Sequence, residues 1–119
     1  MPISISNRTQ KRLPRVKFEP IAGHILGKNF ELSLVFCGDT LMRRLNRTYR
    51  GKDRPTNVLS FPISKTSGEI FIDLSYLKRI SVSHLFIHAC LHLKGMQHGS
   101  TMELEEQKLL NVATNRNWH

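Results

Sequence analysis

The sequence predicts a small α/β (α+β) domain in which a mixed sheet of about four strands is flanked by helices. Three observations lead there. Short apolar runs, several of them alternating with polar residues, occur at four places, other apolar residues recur at helical spacing, and glycine or proline punctuates the boundaries. The order reads strand, helix, strand, helix, strand, strand and then helices, which is a layered mixed architecture. The 119 residues suit a single domain, 1–119, long enough to bury about two-thirds of its unfolded surface.

Ile3 and Ile5 alternate with Ser4 and Ser6, so the chain opens on a short strand. Phe18, Ile21, Ala22, Ile25 and Leu26 fall on one helical stripe that Gly27 stops. Leu32, Leu34 and Phe36 form a second strand, ended by Gly38-Asp39. Asp39 or Thr40 caps a helix carrying Leu41, Met42 and Leu45, with Arg43, Arg44 and Arg47 on its wetter side. Residues 49–56 read as a polar loop, and residues 58–61 as a strand ended by Pro62. Ser67-Gly68 reads as a turn before a strand at 69–73, and residues 74–80 as a short helix. Ser83 is placed to cap a helix over residues 84–94 that Gly95 ends, and residues 101–112 form the last helix, acidic near its start.

Eighteen Lys and Arg against nine Asp and Glu give a formal charge of +9. Such an excess points to a polyanionic partner: RNA, DNA or an acidic membrane surface. Cys37 and Cys90, the two cysteines, each sit in an apolar run and read as buried, reduced thiols of a cytoplasmic protein. The first ten residues lack the apolar stretch of a cleavable signal, and no run approaches a membrane span of about 18 residues. No GxGxxG or Walker phosphate loop is present, so nucleotide binding is not expected.

The chemistry concentrates in residues 88–98, where His88, His92, Gly95 and His98 stand at His-x3-His-x2-Gly-x2-His spacing. Residues four apart on a helix lie about 40° and about 6 Å from each other, so His88 and His92 can grip one ion. Gly95 lets the chain turn back, and His98 can supply a third nitrogen. Three neutral imidazoles favour zinc, leave a fourth position for water, and would also accept nickel or copper. His84 lies about 12 Å along the axis from His92, too far to share the ion, and Cys90 points about 200° away from His88. Metzincin peptidases share the spacing but need a glutamate base where this chain has Ala89, which counts against peptide hydrolysis.

A second motif runs through Asn46, Tyr49-Arg50, Lys52-Asp53 and Pro55-Thr56-Asn57-Val58-Leu59-Ser60-Phe61-Pro62. Arg50 and Lys52 suit a phosphate backbone, and guanidinium forks match phosphate oxygens. With residues 88–98 and the strand Gly68-Glu69-Ile70, this segment resembles the YbeY family of bacterial endoribonucleases. That family carries N-x-x-Y-R-x-K-D-x-P-T-[DN]-V-L-S-F-P and later H-G-x-L-H-L-x-G-[YHM]-D-H. The resemblance runs from Leu32 to about Leu110.

The resemblance implies a twisted sheet flanked by helices, Zn2+ held by His88, His92 and His98, and a functional arginine at Arg50. It also implies cleavage of single-stranded RNA in ribosomal RNA 3′-end maturation and ribosome quality control. The partners implied are the small ribosomal subunit and a ribosome-assembly GTPase. Arg47, Lys52 and Arg54 are expected to hold the RNA strand nearby. Water activated at the ion would attack the scissile phosphate or deprotonate the ribose 2′-OH, and the sequence leaves both open. Two departures stand out: Ala89 replaces the family's glycine, and Gln97 replaces its aspartate. The rival readings are a metallopeptidase and a non-catalytic RNA-binding assembly factor with a structural zinc.

Overall fold

The computed structural model describes residues 3–96 and 99–114. Strands β1 (Ile3–Asn7), β2 (Glu31–Cys37), β3 (Val58–Ser64) and β4 (Ser67–Asp73) form one sheet in the order β1-β2-β4-β3. β1 and β2 run parallel, as do β2 and β4, while β3 returns antiparallel to β4. The helices are α1 (Phe18–Leu26), α2 (Asp39–Arg50), α3 (Val82–Leu93) and α4 (Ser100–Thr114). This is the mixed four-stranded α+β domain that the sequence predicts.

Alternation along the strands divides the interior into two cores. Leu32, Leu34, Phe36, Ile70 and Ile72 face α1, α3 and α4, and build the larger core with Phe18, Phe86 and Met102. Val35, Cys37, Leu59 and Phe71 face the opposite way and meet Met42 of α2 in the smaller core. Helix α3 is the central pillar. Val82, Leu85, Phe86, Ile87, Ala89, Cys90 and Leu91 are all buried, so most of its circumference is covered by protein.

Six local expectations are corrected. Helix α2 starts from Gly38, with no side-chain cap from Asp39 or Thr40. Helix α2 runs on through Tyr49 and Arg50, so the loop starts at Gly51 rather than at residue 49. Gly51 adopts the left-handed conformation (φ 68°) and donates its N–H to the Arg47 carbonyl, which closes the helix there. Pro62 does not end β3, which continues to Ser64. β3 is an edge strand, where a missing N–H is tolerated. The hairpin turn lies at Lys65-Thr66, not at Ser67-Gly68, because Ser64 Oγ accepts the Thr66 N–H at 3.1 Å. Gly68 sits inside β4, where a Cβ would come within 2.9 Å of Leu93 on α3.

Residues 74–80 do not form a helix. Asp73 Oδ1 accepts the Ser75 N–H at 2.8 Å, and Lys78 and Arg79 both take positive φ, a conformation that a right-handed helix excludes. Helix α3 is capped by Ser81 rather than Ser83, with Ser81 Oγ accepting the His84 N–H at 3.1 Å.

Candidate metal centre and cleft

A cleft of about 310 Å³ opens beside edge strand β3. Arg50 from the end of α2, Val58, Leu59, Ser60 and Pro62 from β3, and His88, Ala89 and His92 from α3 line it. Two sequence motifs, one ending at Pro62 and the other starting at His88, therefore meet at one surface.

The histidine geometry follows from the end of α3. The helix closes in a Schellman arrangement: Gly95 donates to the His92 carbonyl at 2.9 Å, and Met96 donates to the Leu91 carbonyl at 3.0 Å. Gly95 has a φ of +102°, which side chains rarely adopt. Within the helix, Nε2 of His88 and Nε2 of His92 stand 3.1 Å apart, with the rings at 80°. Two imidazole nitrogens bound to one tetrahedral ion, each at about 2.0–2.1 Å, stand roughly 3.3 Å apart. The spacing of the two described histidines thus fits a zinc-type ion. His98 and Gln97 lie outside the described residues.

Glu106 of α4 completes the surroundings and was not singled out by the sequence reading. It is buried, and its carboxylate bonds Nδ1 of His88 through Oε1 and Nε2 of His84 through Oε2 at 3.1 Å. Burial pushes this carboxyl up, but the hydrogen bonds from His88 and His84 outweigh it and hold the group below the usual glutamate range. A carboxylate on the far nitrogen of a ligand histidine fixes its tautomer and strengthens it as a donor. The signal was present: Met102, Glu106 and Leu109 follow one helical stripe, and a carboxylate on an apolar stripe needs a partner. His84, read as a helix-start residue, is that second partner.

The arginines divide. Arg50 faces the cleft, and among the described residues no carboxylate pairs with it. Asp53 is taken by Arg43, with Nε–Oδ1 at 2.8 Å and a second bond from the same guanidinium at 3.0 Å; Arg47 stands 3.7 Å away. The Arg43 hydrogen bond holds the Asp53 carboxyl below the usual range. Asn46 is buried and donates to the Arg54 carbonyl at 2.8 Å, which ties the loop to α2. Arg47, Lys52 and Arg54 are exposed and do not line the cleft, and Arg47 lines a separate groove with Arg43 and Arg44.

Other chemistry near the cleft is limited. Ala89 presents a buried methyl where a metzincin places its glutamate. Both cysteines are buried free thiols. Burial, then the charge of Asp73, pushes the Cys37 thiol up to about 12, and burial also raises Cys90. Neither is a ready nucleophile.

Comparison with known proteins gives the chain its family and its fold. The family model described as Endoribonuclease YbeY matches residues 4–115. The chain belongs to the YbeY endoribonuclease family. A YbeY endoribonuclease from Persephonella marina is 34% identical over 120 aligned residues, which cover 86% of this chain and 78% of that protein. One from Geobacter sulfurreducens is 33% identical over 134 aligned residues, covering 92% of this chain and 89% of its own length. The fold is also that of a Thermotoga maritima protein solved in solution, with a TM-score of 0.65 at 20% identity over 96% of this chain and 90% of that one. The YbeY assignment supports endoribonuclease activity and does not favour the peptidase or the non-catalytic alternative.

Proposed function

We propose that this protein is a zinc-dependent endoribonuclease that cuts single-stranded RNA in ribosomal RNA 3′-end maturation and ribosome quality control. The observation that carries the reading is the convergence of Arg50 with His88 and His92 on one cleft. His88, His92 and His98 would hold the ion, and Glu106 orients His88 from behind. When bound, a zinc-type ion supplies Lewis acidity and a water of lowered pKa. Arg50 neutralises charge growing on the phosphoryl oxygens of the scissile group. Arg47, Lys52 and Arg54 attract the strand from outside the cleft, consistent with the charge of +9. The small ribosomal subunit and an assembly GTPase are the partners proposed. Among the described residues no helix is long and apolar enough to cross a membrane.

Cleavage of RNA and of casein, by metal-stripped and metal-restored protein and by His92→Ala, tests the reading. RNA cleavage that returns with zinc in the wild type and not in His92→Ala is the expected result. Casein cleavage, or RNA cleavage indifferent to metal, would overturn it.

A further inference from the structure

Tyr49 precedes Arg50 on α2, and its ring is 65% exposed. A single exposed aromatic is ordinary on a protein surface. The placement of this one is not. Leu45, one turn earlier on the same stripe, packs against the smaller core, so Tyr49 continues that apolar stripe past the packed region. Its ring centroid lies 5.1 Å from Phe61, with the planes at 61°. Phe61 in turn lies 5.8 Å from Phe71 at 78°, and Phe71 belongs to the smaller core. A ladder of three rings thus runs from the interior to the surface and ends on Tyr49. Such edge contacts hold a ring in place without covering it.

The ladder reaches the surface along the same edge strand that borders the cleft. Tyr49 immediately precedes Arg50, which lines the cleft, and Phe61 lies between the cleft residues Ser60 and Pro62 on β3 with its side chain on the opposite face, against the smaller core. A phosphate gripped by Arg50 would bring its attached nucleosides within reach of an aromatic surface. Aromatic rings accept any base, because every base has a π face, and they accept it only when that face has been released from its neighbours.

We propose that Tyr49, braced by Phe61, is a stacking platform for the nucleobase beside the phosphate held by Arg50, and that this contact restricts cleavage to unpaired RNA. The proposal rests on the nuclease reading above and names how that site selects its substrate. Tyr49 is a positioning and specificity residue here, without a part in the bond-breaking step.

The test uses a short RNA oligonucleotide cut at one phosphate, with an abasic nucleotide placed in turn at each flanking position. Binding is followed by fluorescence anisotropy with metal-free protein, and cleavage with zinc-loaded protein. Tyr49→Ala should weaken binding and kcat/KM on the intact oligonucleotide by about 5- to 100-fold. Tyr49→Phe should keep both near wild type, since it keeps the ring. At one abasic position the difference between wild type and Tyr49→Ala should vanish. Equal behaviour of Tyr49→Ala and wild type on intact RNA would overturn the platform, as would a loss that persists at every abasic position. If the wild type neither binds nor cuts RNA, the nuclease reading fails and the platform with it.

Discussion

Glu106 on α4 reaches across to α3 and bonds Nδ1 of His88, which leaves Nε2 of that ring facing Nε2 of His92. The carboxylate thereby fixes which nitrogen of His88 is offered to an ion. Glu106→Gln keeps a neutral hydrogen bond and loses the charge, so zinc affinity should fall by about 10- to 100-fold. Zinc titration against a competing chelator measures this. Unchanged affinity would mean that Glu106 ties the helices together without tuning the site.

Arg50 should matter to the rate more than to the structure. Arg43 and Asp53 hold the loop without it, so Arg50→Ala is expected to keep its fold and its metal. Cleavage should nevertheless drop by about 10²-fold or more, as loss of one donor to a developing oxyanion usually causes. Arg50→Lys should recover part of it, since an ammonium lacks the planar fork. RNA affinity should change less than turnover, because other basic groups share the binding. Single-turnover cleavage, metal analysis and circular dichroism on the same samples decide it, and wild-type cleavage by Arg50→Ala would remove the residue from the mechanism.

Gly68 keeps β4 and α3 close. A Cβ there would lie 2.9 and 3.0 Å from the Leu93 methyls and 3.3 Å from the Phe61 carbonyl oxygen. The Leu93 side chain can swing away, but the β3 backbone yields less readily. Gly68→Ala should therefore cost about 1–2 kcal/mol. It should also weaken zinc binding, since Leu93 is next to His92. Adding Leu93→Ala removes the methyls in the way, so zinc affinity should partly return in the double variant. Urea denaturation and zinc titration test both effects. A Gly68→Ala protein as stable as wild type would show that the contact has slack.

Asp73 predicts a pH effect on stability. Its carboxyl is pushed from 3.8 up to about 7, chiefly by burial and then by the neighbouring Asp39 carboxylate. Between those values the folded protein keeps a proton that the unfolded chain has released. The stabilisation is complete below the unfolded value and is lost as pH rises through the folded one. Asp73→Asn carries no such proton. It should therefore match wild type near pH 4 and melt at least about 5 °C higher above pH 7. Parallel melting curves across that range would show that Asp73 titrates normally.

The order of elements was legible because hydrophobic period alone distinguishes strands from helices here. The histidine spacing and the basic loop were legible because each is a local pattern. Boundaries were less so. Pro62 reads as a strand end until β3 is known to be an edge, and Ser83 reads as the helix cap until Ser81 is seen to accept the His84 N–H. Periodicity puts Glu106 on the buried Met102–Leu109 stripe, but its partner His88 stands 18 residues away on a separate helix, and no local pattern encodes that pairing. Gly68 resembled a turn glycine because its reason, the Leu93 side chain, lies on another element.

The cleft straddles an edge strand, and its two halves rest on different cores. The histidines stand on the pillar of the larger core, while Arg50 extends from the helix that covers the smaller one. Because β2 and β4 supply side chains to both cores, the sheet couples the two halves, and a substitution that loosens either core is expected to disturb the whole cleft.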